Sequence, residues 1–142
     1  MMREKQGKSF VVIMLVIAIS AFILRIALEK IIKFSISSNE ANASATLKII
    51  SVALENYAKD NHGSYPANLS ALIQGKPAYL DKDYLKQSPL MGYIKGYVYD
   101  CPHLDASGYS CSAVPLKCGL TGKLIYKVST AGLIISEDCD KK

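Results

Sequence analysis

Four cysteines are the residues of this chain best suited to chemistry, and all lie in its last third: Cys101, Cys111, Cys118 and Cys139. An even number of cysteines in a small domain behind a hydrophobic segment indicates disulfides formed in an oxidising compartment. Two alternatives stay open: four reduced thiols in the cytosol, or a zinc site that combines His103 with the first three cysteines. The zinc alternative lacks the close paired spacing of common zinc sites. We therefore predict two disulfides and no metal site.

Catalytic motifs are missing from the sequence, which has only two histidines, His62 and His103. Neither histidine neighbours a nucleophile motif, and no glycine-rich phosphate loop, H-E-x-x-H or G-x-S-x-G occurs. Four aspartates have the chemistry to gather around a calcium ion, but solvated loop carboxylates are the favoured interpretation: Asp100, Asp105, Asp138 and Asp140. We expect no enzyme activity and no cofactor.

Residues 10–24 form an uncharged run, FVVIMLVIAISAFIL, in which only Ser20 is polar. As a helix the run spans about 22 Å, and extension through Leu28 gives about 28 Å, close to the thickness of a bilayer core. The long side chain of Arg25 is able to snorkel to the headgroups. We predict one membrane-spanning helix with this apolar surface: Phe10, Val11, Val12, Ile13, Met14, Leu15, Val16, Ile17, Ile19, Phe22, Ile23 and Leu24.

A cleaved secretory signal peptide is the alternative interpretation of this run. Its cleavage requires small residues directly after the apolar stretch, whereas RIALEKIIKF follows here. Ala43-Ser44-Ala45 has suitable residues but lies about 20 positions too late. The sequence therefore favours an uncleaved helix at this end of the run.

Positive charge is concentrated around the run. Residues 1–35 carry six basic side chains against two acidic ones, whereas residues 36–142 carry 11 against 10. This distribution favours anionic lipid headgroups as partner of the N-terminal segment and argues against nucleic acid as partner of the domain. Basic residues both precede and follow the run, so the cysteines decide the orientation and place the C-terminal part outside the cytoplasm.

Helical periodicity continues beyond the run. An apolar stripe recurs at intervals of three and four residues: Leu47, Ile50, Leu54 and Tyr57. We predict one long helix over about residues 8–61, ending at an Asn-His-Gly turn in which Gly63 takes a positive φ. A short helix is expected to begin at Asn68.

Strands are predicted in three segments rich in β-branched and aromatic residues: 93–100, 123–129 and 133–137. If the last two segments pair as a hairpin, Cys139 lies beside residue 123, where the earlier of the two strands starts. Cys118 is five residues before that start, so we predict Cys118–Cys139 and, with it, Cys101–Cys111. Because the helix stripe needs a partner surface, the predicted fold class is α+β. A long N-terminal helix, half transmembrane and half amphipathic, packs on a small antiparallel sheet.

Two interpretations compete for the six tyrosines that lie between residues 79 and 109: Tyr79, Tyr84, Tyr93, Tyr97, Tyr99 and Tyr109. Tyrosine suits protein interfaces, which makes subunit contacts one possibility. The favoured interpretation is a small core that buries the rings and leaves the hydroxyls in water.

The chain opens with MMREKQG, a short basic stretch ending at Gly7, and continues as KSFVVIMLVIAIS, with Ser9 before the apolar run. This order resembles the N-terminus of the type IV pilin family, which includes the pseudopilins of type II secretion. The resemblance implies cleavage by a prepilin peptidase between Gly7 and Lys8. Lys8 departs from the family, where a phenylalanine is usual and becomes methylated, and Val12 stands where most members have a glutamate. The missing glutamate favours a minor subunit over a major one.

A second stretch, LENYAKDNHGSYPANLSAL at residues 54–72, resembles the end of the family's long helix and the Y-P-x-x-L-x-x-L pattern that follows it. GYIKGYVYD at residues 92–100 resembles the first strand of these domains. The resemblance implies a pilin-like fold with a leader at 1–7, a transmembrane helix and stalk at 8–35, and a globular domain at 36–142. The apolar run would then be the core of a fibre.

The function implied by the resemblance is that of a structural subunit, assembled from the bacterial inner membrane into a helical fibre of a type IV pilus or a type II secretion pseudopilus. The chain would cross the membrane once and hold its domain in the periplasm or outside the cell. Implied partners are other pilin or pseudopilin subunits, the prepilin peptidase, the inner-membrane assembly platform and the lipid bilayer.

Two other functions stay open. One is a membrane-anchored binding module that presents cysteine-bridged loops around residues 101–118 to DNA, cargo or a surface. The other is a plain signal-anchored protein, for which we expect neither leader cleavage nor self-association of the apolar helix.

Overall fold

The computed structural model describes residues 3–85 and 96–141. Helix α1 runs over Arg3–Asp60, and a short helix α2 runs over Ser70–Gln74. Four strands follow: β1 Tyr97–Asp105, β2 Gly108–Pro115, β3 Leu124–Ser129 and β4 Leu133–Asp138. Tertiary contacts divide the chain into two compact units, Met1–Ser35 and Ile36–Lys142. Every core side chain among the described residues belongs to the second unit.

Helix α1 ends where the sequence predicts. Asp60 is its last residue, and the next turn places His62 at φ 57° and Gly63 at φ 85°. The Gly63 amide donates a 2.7 Å hydrogen bond to the carbonyl of Ala58, which satisfies one of the carbonyls left open at the helix end. Glycine lacks the Cβ that makes this left-handed backbone costly, so Gly63 adopts it without strain.

The sheet is a four-stranded antiparallel meander in the order β1-β2-β3-β4. The prediction of three strands is therefore wrong, because it missed β2. That strand reads GYSCSAVP, and its glycine, serine and alanine residues carry little intrinsic β-propensity. Its strand state comes from pairing on both sides, with β1 and with β3, which no local pattern records.

Strand β1 extends further than predicted. The predicted segment stopped at Asp100, whereas β1 continues to Asp105 through Pro102; residues 93–95 lie outside the described part of the chain. A register shift between Asp100 and His103 accommodates the proline. Proline lacks an amide donor, and an edge strand with a bulge is where a sheet tolerates it.

The core forms where the predicted helix stripe meets the sheet. Leu47, Ile50 and Leu54 of α1 are completely buried, against side chains from three strands: Tyr97, Tyr99, Tyr109, Cys111, Ala113 and Val128. Tyr57 packs against the same cluster and is partly buried. The structure confirms the α+β layout, a long N-terminal helix packed on a small antiparallel sheet.

The tyrosines are mainly core residues, as favoured from the sequence, but their hydroxyls are not simply left in water. Tyr97, Tyr99, Tyr109 and Tyr84 are buried, while Tyr93 lies outside the described residues. The Tyr97 hydroxyl donates to the carbonyl of Leu124 at 2.8 Å and that of Tyr84 to a carboxylate at 3.0 Å. These hydrogen bonds hold the buried rings in place.

Helix α2 follows the predicted cap at Asn68. The Asn68 side-chain oxygen accepts a 3.1 Å hydrogen bond from the amide of Ala71, although the helix itself begins at Ser70. Leu72 is completely buried, and its carbonyl accepts hydrogen bonds from the amides of Tyr79 and Leu80. The short helix thus ties the segment after α1 to the core.

Candidate membrane span and the disulfide-bridged domain

The predicted apolar run is fully helical and has an exposed surface on every side. Its least exposed large side chain, Ile19, has 52% of its surface accessible, and its most exposed, Phe22, has 67%. All twelve predicted residues share this state: Phe10, Val11, Val12, Ile13, Met14, Leu15, Val16, Ile17, Ile19, Phe22, Ile23 and Leu24. Among the described residues, α1 is the one helix that is long and apolar enough to cross a membrane. The mean hydropathy of its most apolar stretch of 18 residues is 2.8.

Polar groups in this part of α1 are satisfied within the helix. The Ser20 hydroxyl donates to the carbonyls of Val16 and Ile17, at 2.6 and 3.1 Å. Arg25 lies 3.6 Å from the carboxylate of Glu29, one turn further along. A helix that hydrogen-bonds its own polar side chains avoids the cost of unsatisfied groups in an apolar environment.

The residues implied in leader processing lie in the first turns of α1. The backbone of Gly7 and Lys8 is helical, and Val12 lies further along the same helix with 59% of its surface exposed. Cleavage between Gly7 and Lys8 stays a prediction. Valine at position 12 gives this helix an apolar surface where a carboxylate would have carried charge.

The one candidate site for a signal peptidase, Ala43-Ser44-Ala45, lies within α1. Ala43 is completely buried in the core, in the middle of α1, and Ala45 is two residues further along the same helix. Cleavage after Ala45 would remove Ala43 from the core cluster and sever the helix that carries the buried stripe.

The four cysteines form two disulfides, Cys101–Cys111 and Cys118–Cys139, which is the predicted pairing. The first joins β1 to β2 beside the bulge. The second joins the loop before β3 to the end of β4, where the Cys139 amide also donates to the carbonyl of Lys123 at 2.8 Å. Disulfides of this kind fit a domain in an oxidising, extracytoplasmic compartment.

The region from Cys101 to Cys118 is not the loop that the binding hypothesis assumed. Residues 101–105 and 108–115 belong to β1 and β2, and the loop comprises residues 116–123. The turn between the strands is held by Asp105, whose carboxylate accepts bonds from the amide and hydroxyl of Ser107 at 2.8 and 2.6 Å. These bonds hold the pKa of Asp105 below its usual value.

Metal binding finds little support in the side-chain geometry. Over residues 3–85 and 96–141, the potential ligand group that the structure assembles is Cys118, Cys139 and Asp140. Both sulfurs in that group are consumed by a disulfide, so a single carboxylate is left. Asp100, Asp105 and Asp138 do not join it.

Glu55 organises a hydrogen-bonded cluster that the sequence did not reveal. Its carboxylate accepts bonds from the Tyr109 hydroxyl at 2.9 Å, the Tyr65 hydroxyl at 3.1 Å and the Ala131 amide at 2.8 Å. Ser51, one turn earlier on α1, lies 2.8 Å from the same Tyr109 hydroxyl. Burial, with a further contribution from the Glu55 charge, raises the pKa of Tyr109 to about 12. One helix residue thereby holds β2, the β3–β4 turn and the segment after α1.

A second polar contact fastens α1 to the disulfide-bridged loop. The Asn39 side chain donates to the carbonyl of Thr121 at 2.9 Å, and the Glu40 carboxylate accepts from the amide of Lys123 at 2.8 Å. Burial, followed by the charge of Glu40, raises the pKa of Tyr97 beneath this loop. Gly122 allows the close approach, since a Cβ there would collide with the Tyr97 hydroxyl.

The face of α1 turned away from the sheet carries a shallow apolar groove of about 460 Å³. Ile49 and Val52, each about half exposed, form its floor, and the ring of Tyr79 forms one wall. The Tyr79 ring is positioned by an edge contact with Tyr57 and by a 2.7 Å bond from its hydroxyl to Asp60. The groove has the size of a small-molecule site but few convergent polar groups.

Comparisons of this chain with known protein families, with curated proteins and with solved structures find no match.

Proposed function

We propose that this chain is a structural subunit, by its Val12 a minor one, of a type IV pilus or a type II secretion pseudopilus. The observation that carries the proposal is the run at residues 10–24, a helix whose apolar side chains are at least half exposed on every side. Such a surface requires a partner of its own, either lipid or other apolar helices. A fibre subunit needs both partners in succession.

The domain gives further support because it is complete without the run. Residues 36–142 form a compact unit with their own buried core and two disulfides. The domain therefore does not need the run to complete its hydrophobic core. An exported domain with disulfides behind an apolar helix is the arrangement that an inner-membrane subunit with a periplasmic or extracellular domain requires.

The proposed mechanism involves no bond-making by this chain. The run holds the subunit in the inner membrane, a prepilin peptidase removes residues 1–7, and the assembly platform moves the subunit into the fibre. Neighbouring runs then replace lipid around Phe10–Leu24. The order of these steps comes from the resemblance of the N-terminus to prepilins.

The test is co-expression with a prepilin peptidase, followed by N-terminal sequencing of the chain purified from membranes. We expect a mature chain that begins at Lys8. The matched control is Gly7→Leu, which places a bulky side chain at the residue before the cleaved bond and leaves the run and the domain intact. In that variant we expect the full-length chain.

The other outcomes discriminate between the alternatives. A chain that keeps Met1 under conditions that process a known prepilin would refute the proposal and favour the plain signal-anchored protein. A chain that begins after Ala45 would identify a secreted protein. Processing at Gly7 without incorporation into fibres would favour a membrane-anchored binding module.

A further inference from the structure

Residues 25–34, which we name the juxtamembrane segment, are helical but differ in character from the run before them. The segment reads RIALEKIIKF and has three basic side chains against one acidic one. Arg25, Glu29 and Lys33 follow one another at intervals of four residues, with Lys30 beside them. Residues at this spacing share one side of a helix, so the charges form a stripe.

The opposite side of the segment is apolar and exposed. Leu28, Ile31 and Phe34 recur at intervals of three, with 57%, 63% and 77% of their surfaces accessible. Phe34 is the most exposed large hydrophobic side chain among the described residues. A charged stripe opposite an apolar one, with basic residues in excess, is the pattern of a helix at a membrane–water interface.

Length places the segment at this interface. The run of 15 residues covers about 22 Å of a hydrocarbon core about 30 Å thick, and ten further helical residues add about 15 Å. The juxtamembrane segment therefore begins inside the hydrocarbon edge and ends within the headgroup layer. Arg25 has an ion-pair partner in Glu29, at 3.6 Å, whereas Lys30 and Lys33 form no ion pair with any side chain that the structure describes.

We propose that the juxtamembrane segment is a binding site for anionic lipids, in which Lys30 and Lys33 contact headgroup phosphates while Ile31 and Phe34 lie at the boundary between the headgroups and the acyl chains. The site rests on the membrane anchoring assumed in the proposed function, and it sets the depth at which the subunit waits. Each lysine at an anionic surface contributes about 1 kcal/mol, equivalent to a change of about 5.4-fold in occupancy, so the two together give about 30-fold.

The chain contains no tryptophan, which makes a single introduced tryptophan an unambiguous reporter. The full-length Phe34→Trp variant is reconstituted into vesicles of phosphatidylcholine alone, or of phosphatidylcholine with phosphatidylglycerol, containing lipids brominated near the headgroup end of the acyl chain. We expect blue-shifted emission and quenching by the brominated lipid in the anionic vesicles. Adding Lys30→Gln and Lys33→Gln should shift the ratio of quenched to water-exposed tryptophan about 30-fold towards exposure.

Matched variants separate this site from general effects of charge and of anchoring. Lys48→Gln with Lys59→Gln removes the same charge from exposed positions in the part of α1 that belongs to the domain, and quenching of Trp at position 34 should stay unchanged. Phe22→Trp reports the run itself and should be quenched in both kinds of vesicle when the bromine is placed near the methyl end of the acyl chain, since Phe22 lies about 18 Å along a core about 30 Å thick. If it is not, membrane anchoring and the proposed function fail together.

Two results would overturn the lipid site while leaving anchoring intact. One is a Phe34→Trp variant that emits as in water, in anionic vesicles where Phe22→Trp is quenched. The other is emission that is blue-shifted but insensitive to brominated lipid and dependent on the protein-to-lipid ratio. That second result would identify a second copy of the chain as the occupant of this surface.

Discussion

Replacement of Glu55 by alanine should destabilise the domain by about 2–4 kcal/mol, because three donors lose one charged acceptor. A hydrogen bond to a charged group contributes about 1.5–3 kcal/mol, but the three bonds are not equal. Ala131 is exposed and Tyr65 is only partly buried, so water replaces the carboxylate at these two bonds. Tyr109 is completely buried, out of reach of water, so the loss of its bond to Glu55 dominates even though its hydroxyl keeps its contacts with Ser51 and with the backbone of Gly132.

Urea unfolding of the compact unit from Ile36 onward measures this loss directly. Glu55→Gln keeps one acceptor oxygen and should cost about half as much as the alanine variant. Glu137→Ala is the matched control, since that carboxylate is half exposed and contacts Lys127 at 2.7 Å on the surface of the sheet. A surface pair of this kind contributes about 0.2–1 kcal/mol.

A double-mutant cycle tests whether the Tyr109 bond is the main component. Tyr109→Phe removes the buried hydroxyl, and its combination with Glu55→Gln should show a coupling free energy of about 1–2 kcal/mol. If Glu55→Ala costs no more than Glu137→Ala, or if the coupling is absent, the Glu55 cluster does not stabilise the domain as we infer.

Three further predictions concern the rest of the domain. Serine at both Cys118 and Cys139 should cost about 3 kcal/mol, since this bridge closes a separation of 21 residues. A reducing agent should lower the midpoint of unfolding more in the parent chain than in the variant, which keeps only the Cys101–Cys111 bridge. Gly122→Ala should cost about 1–3 kcal/mol, because its Cβ overlaps the buried ring of Tyr97; a Tm equal to that of the parent would contradict this close packing. Folding raises the pKa of Tyr109 from 10.0 to about 12, so the stability it contributes is complete below pH 10 and is lost as the pH rises towards 12. Tyr109→Phe should flatten that alkaline decline in a pH series of urea midpoints, and an unchanged slope would refute the assignment.

The parts of the fold that the sequence predicted are those with a local physical cause. Leu47, Ile50 and Leu54 repeat at helical spacing, and that spacing alone requires one buried face. Gly63 stops the helix because it tolerates a backbone that other residues avoid. The disulfide pairing followed from the β3–β4 hairpin, which places Cys139 beside the start of β3.

The parts that the sequence did not predict depend on contacts between distant residues. Strand β2 has a weak composition of its own and becomes a strand because two neighbours hydrogen-bond to it. Glu55 looked like a residue of the polar helix face, and it is 54 residues from Tyr109 and 76 from Ala131. Only the tertiary fold brings those donors to one carboxylate, so no spacing rule could have identified the cluster.

The exposed run also limits how assembly can be driven. Its twelve large apolar side chains are more than half exposed. Burying that exposed surface is worth roughly 10–20 kcal/mol at 1.5–3 kcal/mol per fully buried side chain, which is at least as large as the net stability of most domains. Water is therefore not a stable environment for the run. Lipid and neighbouring runs are about equally apolar, so exchanging one for the other releases little hydrophobic free energy. If the chain is a fibre subunit, the direction of assembly must come from outside the run. Contacts between domains and the work of the assembly platform are the remaining sources of free energy for assembly. Val12 carries no charge, so it contributes no electrostatic attraction between neighbouring runs.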